Sequence, residues 1–439
     1  MRSFLQAEGV KTFSVVWFGQ LISLLGSSMT RFGLAIWVYQ ETGSATQLAL
    51  IVMASRVPML LVSPFVGALV DRWDRRTSML VADTGAAIGT LATMLLVVTG
   101  SLEIWHLYLT LSFSGLFAAF QFPAYSAAVT VLIPKEHYAR ASGMVQLAGS
   151  VGGILAPALA AAIVVTAGLG PLFIADAASY VVAVTTLLVV RFPRVEASER
   201  RGRGITGLLR EAGEGLSFIT ARRGLLILLL SFVMVNFAFA FQGVLTIPLL
   251  LNLTSEQTAG LIVSLGAGGV AVGSLTLAVW GGPKKKILGV YLPIMAMGVG
   301  LVMMGLRPSV WLVAAGLLVM LGTHPIAGGS SQTIWQAKVP PQLQGRVFAI
   351  RQISAISASP IAFLSAGLLA DRVFEPMFAT DGSMLTAIFG SGPGRGIGFL
   401  FACTGIVAIA ITIWALRHPR IRQLDHEILD ADHEQALAV

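Results

Sequence analysis

Twelve apolar runs follow one another along the chain, at about 13–38, 47–70, 77–98, 105–128, 141–165, 171–190, 225–250, 258–280, 288–306, 310–331, 347–370 and 397–416. Polar residues gather in the gaps between them. A helix needs roughly 20 apolar residues to cross a bilayer, and each run is close to that length. A span without water must satisfy its own backbone, so the runs predict helices and an all-α integral membrane protein. The first run is too long for the apolar core of a signal peptide and no small-residue cleavage site follows it, so it is expected to remain as a span.

Composition agrees. Of 439 residues, 56% are hydrophobic and only 11% are charged, with mean hydropathy +0.82. A soluble domain carries about a quarter charged residues. The formal charge of +8 invites a nucleic-acid partner, but the basic residues stand in short gaps and form no continuous patch. The single cysteine, Cys403, lies inside the last run and leaves no intrachain disulfide or cysteine-rich metal site.

The basic residues also orient the chain. Arg31, Arg56 and Arg351 fall inside runs, and Arg307, Arg372 and Arg395 fall in gaps of one parity. Every other one of the 29 Lys and Arg falls in gaps of the opposite parity or at the ends. Positive charge marks the cytoplasmic side, so both termini are expected there. The gap at 191–224 is the longest and most basic, with Arg191, Arg194, Arg200, Arg201 and Arg203 ahead of an amphipathic stretch from Ile205 to Thr220. It is expected to be a solvated linker whose helix lies on anionic lipid. The chain then divides into a six-helix bundle at 1–190, the linker at 191–224, a second six-helix bundle at 225–418 and a cytoplasmic tail at 419–439. The halves carry traces of duplication. Pro134, Arg140 and Gln146 recur as Pro340, Arg346 and Gln352, a common offset of 206 at the start of each half's fifth run. Two halves related about the membrane normal are a known transporter plan.

The gap after the second run reads Gly67-Ala-Leu-Val-Asp71-Arg72-Trp-Asp74-Arg75-Arg76. It resembles the signature between the second and third helices of the major facilitator superfamily, with Asp74 where a second glycine is usual. The segment Gly149-Ser-Val-Gly152-Gly153-Ile-Leu-Ala-Pro157 is similar to the glycine-rich antiporter motif of exporters in that family. With Trp17-Phe-Gly-Gln20 and Gly367-Leu-Leu-Ala-Asp371-Arg372-Val-Phe-Glu375-Pro376, the chain resembles the macrolide-efflux and siderophore-exporter branch of drug:proton antiporters. One departure is the fourth run, which has no arginine where many proton-driven exporters place one. The resemblance implies a twelve-helix fold of two six-helix bundles, with a cavity lined by helices one, four, seven and ten. It also implies gating by Gly67, Asp71, Arg72, Arg75 and Arg76, and the glycine cluster with Pro157 would let helix five bend and pack closely.

Polar residues inside the runs are the site candidates. Gln20, Ser23, Ser27 and Arg31 step along one face of the first helix. Gln121 and Tyr125 do so on the fourth, while Asn236 and His324 stand on the seventh and tenth. Cavity lining is expected of Gln20, Arg31, Arg56, Gln121, Tyr125, Asn236 and His324, against the alternative of bonds between helices. An intramembrane charge costs about 2.5–3.5 kcal/mol on insertion scales and so needs a partner. Arg31 and Asp176 come out at similar depth, which suggests an ion pair. Asp83, two turns past Arg76, could pair with the arginines there or carry protons. Asp176, Asp83 and His324 are the candidates for proton coupling. Spare cationic groups at Arg56 and Arg351 would favour anionic or neutral cargo over cations.

No HExxH, GxSxG, Walker loop or paired cysteine is present, which argues against an enzyme and against ATP as energy source; no cofactor and no metal are expected. The expected activity is proton-coupled export of an amphiphilic drug, secondary metabolite or siderophore by alternating access. The expected location is the bacterial cell membrane, as a monomer among lipid, with no nucleic-acid partner. The alternatives are an importer of a small organic solute with the same fold, and a non-transporting membrane sensor, which would be expected to carry a further domain.

Overall fold

The structure, a computed structural model, describes residues 9–134, 137–190, 205–379 and 384–422. The arginines at 191–203 and the tail beyond 422 lie outside them. Among the described residues, twelve helices are long and apolar enough to cross a membrane, one for each apolar run. The chain forms two compact units: residues Met1–Arg201 with Ser255–Ser264, and Gly202–Thr254 with Leu265–Val439.

The first unit holds α1 (Val10–Thr42), α2 (Ala45–Arg72), α3 (Arg75–Val98), α4 (Ile104–Leu132), α5 (Tyr138–Ala167) and α6 (Gly170–Val189). Gly43 ends α1 in the left-handed conformation at φ 60°, a position that favours glycine, and Ser44 caps α2 by accepting from the Gln47 N–H at 3.2 Å. The second unit begins with the linker helix α7 (Ile205–Ala221), followed by α8 (Arg223–Leu251), α9 (Glu256–Trp280), whose first residues belong to the first unit, α10 (Lys286–Leu306) and α11 (Val310–Lys338).

The eleventh run is not one helix and does not end at 370. It comprises α12 (Pro341–Ser357), α13 (Ser359–Leu369), a π-helical turn at Ala370–Phe374 and α14 (Glu375–Met377). After α15 (Met384–Phe389), α16 (Arg395–Arg417) is the twelfth span, and α17 (Pro419–Arg422) follows it. The overrun past 370 has a physical reason in Glu375. Its two carboxylate oxygens accept from the N–H groups of Gly394 at 3.0 Å and Ile397 at 2.9 Å, at the start of α16. A carboxylate there answers both the unsatisfied donors and the dipole of the helix N-terminus.

Helix pairings recur between the units. The contacts α1–α6, α1–α5, α3–α4 and α3–α6 of the first unit have counterparts α8–α16, α8–α13, α10–α11 and α10–α16 in the second. This is the pattern the 206-residue offset predicts. The linker helix packs against α12. Its Phe218 and Ile219, expected on lipid, are buried in the core of the second unit with Leu225, Val347 and Trp335, and Glu214 forms an ion pair with Arg346.

Close helix contact falls on glycines other than those singled out in the fifth run. On α1, a Cβ at Gly19, Gly26 or Gly33 would stand 2.3 Å from Thr186 Oγ1, 2.5 Å from Ser179 Oγ or 2.2 Å from Leu172 Cδ1 of α6. On α10, a Cβ at Gly305 would stand 2.0 Å from Gly398 O of α16, and one at Gly298 would stand 2.8 Å from Gly405 O. Without a hydrophobic drive between helices in lipid, such close packing supplies the attraction. A Cβ at Gly149 of α5, by contrast, would meet nothing within 4 Å, and one at Gly152 would have its nearest atom at 3.5 Å.

Gly305→Ala should therefore lower the melting temperature of the detergent-purified protein, since overpacking a filled contact costs typically about 1–3 kcal/mol. Gly149→Ala should leave it unchanged or raise it. Equal melting of the two variants in a thermal-shift assay would contradict this packing.

Candidate functional site

In the first unit, one face of α1 organises a polar network with α3, α4 and α6. Gln20, 6% exposed, donates through Nε2 to Asp83 Oδ2 of α3 at 2.8 Å. Its Oε1 accepts from Gln121 Nε2 of α4. Two turns further along α1, Ser27 Oγ donates to Asp176 Oδ1 of α6 at 3.0 Å and stands 3.0 Å from Tyr180 OH. Thr90, two turns beyond Asp83 on α3, donates to Asp176 Oδ2 at 3.2 Å. Seven residues of helix rise roughly 10 Å. The two carboxylates thus occupy two levels of the same group of helices, Asp83 at 1% and Asp176 at 2% exposure. The glycine contacts of α1 with α6 place Ser27 within reach of Asp176.

Neither carboxylate is in an ion pair with a described residue. Among the described residues Asp83 does not meet Arg76; its partner is Gln20, because it faces α1 from inside the bundle. Asp176 does not pair with Arg31, whose exposed guanidinium donates to Ser28 Oγ at 2.8 Å, one turn back on its own helix. Equal depth did not bring the two groups face to face, since Ser27 and Thr90 occupy the carboxylate. Removing an ion from water costs several kcal/mol, and each hydrogen bond from a neutral donor to a charged group returns about 1.5–3 kcal/mol net.

The 67–76 motif is described in part. The side chains at Asp71, Arg72 and Arg75, and the surroundings of Gly67, lie outside what the structure describes. Arg76 is described: Nε donates to Leu187 O at 2.6 Å and a terminal nitrogen donates to Leu188 O at 2.5 Å. It ties the start of α3 to the last carbonyls of α6, which a helix leaves unsatisfied.

The second unit contains a cavity of about 330 Å³ between α8, α11 and α12, with Asn236, Gln332, Trp335, Phe348, Arg351 and Gln352 in its wall. Arg351 is its one cationic lining residue among those described. One terminal nitrogen donates to Gln332 Oε1 at 3.0 Å and the other to Ser331 Oγ at 3.4 Å. Its guanidinium carbon lies 4.8 Å from the centre of the Trp335 ring and 5.5 Å from that of Phe348. Asn236 donates to Phe232 O at 2.8 Å on its own helix, which leaves the amide oxygen for the cavity. A second, almost wholly apolar cavity of about 460 Å³ is lined by Met234, Phe237, Phe241, Leu400 and Cys403.

The remaining candidates are dispersed. His324 is exposed on α11 and does not line the Arg351 cavity, and Arg56 is exposed on α2. Tyr125 is 9% exposed in the core of the first unit, and its hydroxyl has no partner among the described residues. Thr90, Tyr180, Gln332, Trp335 and Phe348 were not singled out from sequence. The available signal was spacing: Asp83 and Thr90 stand seven apart, and Gln332 and Trp335 three apart, each pair on one helical face.

Residues 16–364 match the family model described as Major Facilitator Superfamily. The chain is 27% identical over 386 residues to Macrolide efflux protein A of Streptococcus pyogenes, covering 86% of this chain and 94% of that one. It is 22% identical over 426 residues to Multidrug efflux pump Tap of Mycolicibacterium fortuitum, covering 94% and 96%. Among solved structures, a bacterial homologue of the human lysosomal transporter Spinster, inward-facing and unoccupied, superposes with TM-score 0.68 at 17% identity, covering 92% and 97%. That likeness concerns the fold.

Gln20→Leu should destabilise the protein by about 1–3 kcal/mol, because it leaves the Asp83 carboxylate buried without its donor. Asp83→Asn, of equal size and still able to accept from Gln20, should cost less. Thermal-shift measurement of both variants in detergent checks the order, and a greater loss in Asp83→Asn would contradict it.

Proposed function

We propose that this chain, which belongs to the Major Facilitator Superfamily and is a multi-pass protein of the bacterial cell membrane, exports an amphiphilic organic molecule in exchange for protons. The cargo is a drug, a secondary metabolite or a siderophore. The efflux relatives support the direction. The observation that carries the coupling is the pair of carboxylates buried in the first unit, Asp83 and Asp176, whose donors among the described residues are all neutral.

The chemistry follows from the donor and acceptor inventory. An ionised Asp83 accepts from Gln20 Nε2, as observed. A protonated Asp83 gains an O–H donor, and its best partner is then Gln20 Oε1, the atom that holds Gln121. Turning the Gln20 amide to meet the new donor releases Gln121. One proton thus reverses the bond between α1 and α3 and releases the one between α1 and α4. At the other level, protonated Asp176 can donate to Ser27, which reverses the bond that joins α1 to α6 there. Protonation shifts the balance between two arrangements of the bundle by its differential affinity for them. That is the requirement for alternating access about a midplane cavity. Asp71 with Arg72, Arg75 and Arg76 closes the cytoplasmic gate, and both termini face the cytoplasm.

The test is efflux driven by a pH gradient in everted vesicles, with energy-independent counterflow measured beside it. Asp83→Asn and Asp176→Asn should each lose at least tenfold in gradient-driven efflux while counterflow persists. Wild-type pumping by both would overturn the coupling assignment. Asp71→Asn should abolish efflux and counterflow together with membrane level unchanged, and wild-type transport by that variant would remove the gate.

A further inference from the structure

We propose that the Arg351 cavity is a subsite for a single oxyanion, a carboxylate or sulfonate attached to a flat apolar body, and that it selects acidic amphiphiles as cargo. The proposal rests on the export reading and names its substrate class.

A guanidinium offers five N–H donors in a plane. At Arg351 one is used well, on Gln332 Oε1 at 3.0 Å, and a second weakly, on Ser331 Oγ at 3.4 Å. Three remain. Among the described residues, no carboxylate stands within ion-pair distance of it, and none lines the cavity. The charge is met by two aromatic faces instead, Trp335 and Phe348. A ring attracts a cation through its quadrupole and does not neutralise it. Half-enclosed by apolar side chains of α8, the charge attracts an incoming anion more strongly than it would in open water.

The walls fit that anion's other end. Leu228, Leu229, Phe232 and Val233 face the cavity beside the two rings, so an apolar body can lie where the carboxylate meets the arginine. The Asn236 and Gln352 amides add neutral polar contacts. The Gln332 amide oxygen holds one terminal nitrogen of the guanidinium, and a guanidinium edge with two parallel N–H groups suits bidentate capture of an oxyanion. A volume of about 330 Å³ lies at the small end of ligand sites, enough for an acidic head and one or two rings. The neighbouring Arg346 does not compete, since it is engaged by Glu214.

The probes are pyrenebutyric acid, its methyl ester and pyrenebutylamine, with binding measured by fluorescence on purified protein in phosphatidylcholine nanodiscs. Wild type should bind the acid at least tenfold more tightly than the ester and should bind the amine most weakly. Arg351→Gln should bring the acid-to-ester ratio near one. Arg351→Lys, which keeps the charge without the planar fork, should retain part of it and show that the loss is not one of folding. An unchanged ratio in Arg351→Gln, or tightest binding of the amine, would overturn the proposal. So would acid affinity that falls in phosphatidylglycerol nanodiscs as far as in Arg351→Gln, because a lipid phosphate would then be the occupant. Binding needs no proton gradient, so failure of coupled export leaves this result standing. Loss of acid preference with coupled export intact would refute this assignment alone.

Discussion

The polar groups buried within the spans are governed by the lack of water around them. The backbone answers by forming helices, and the side chains answer by finding one another. Asp83 has Gln20, Asp176 has Ser27 and Thr90, Arg76 has the last carbonyls of α6, and Glu375 has the first N–H groups of α16. These pairings choose which helix faces meet, and glycines at the crossings let the faces come close enough for the bonds to form. The same constraint gives Arg351 its significance, because among the described residues it is the cation that lines the polar cavity of the second unit, met there by neutral groups and rings.

The spans could be read from the chain because their cause is local. A run of apolar residues decides by itself that it will be a helix in lipid, and the distribution of Lys and Arg requires no knowledge of packing. The duplication was visible for a similar reason, since Pro134 and Pro340 punctuate each half at the same point. The far end of the eleventh span escaped because its course past Ala370 is set by Glu375 meeting α16, a contact 19 and 22 residues distant.

The site was legible as a set of residues and not as a set of bonds. Gln20, Asp83, Gln121, Asp176, Asn236 and Arg351 all stood out as polar groups within apolar runs. Their partners depend on helix rotation, which hydropathy does not encode. Depth alone pointed Arg31 at Asp176; rotation sends the guanidinium to Ser28. The aromatic wall of the Arg351 cavity was hidden because a Trp or Phe in an apolar run carries no mark of whether it faces lipid, core or ligand.

The order in which these bonds become available follows the order of synthesis, since a chain is made from its N-terminus. Gln20 is already in place when Asp83 is made. Ser27 and Thr90 both precede Asp176, Gln332 precedes Arg351, Glu214 precedes Arg346, and Gly305 and Phe389 both precede the buried Arg395. Asp83, Asp176, Arg351 and Arg395 therefore reach the bilayer with receiving groups already made, whereas Arg76 and Glu375 meet partners made after them. An intramembrane charge that would be expelled from an isolated helix can be accepted by the helices ahead of it. The arrangement gives the linear sequence a schedule as well as a shape: reversing two spans would keep the hydropathy profile and leave a charge waiting in lipid for a partner not yet synthesised.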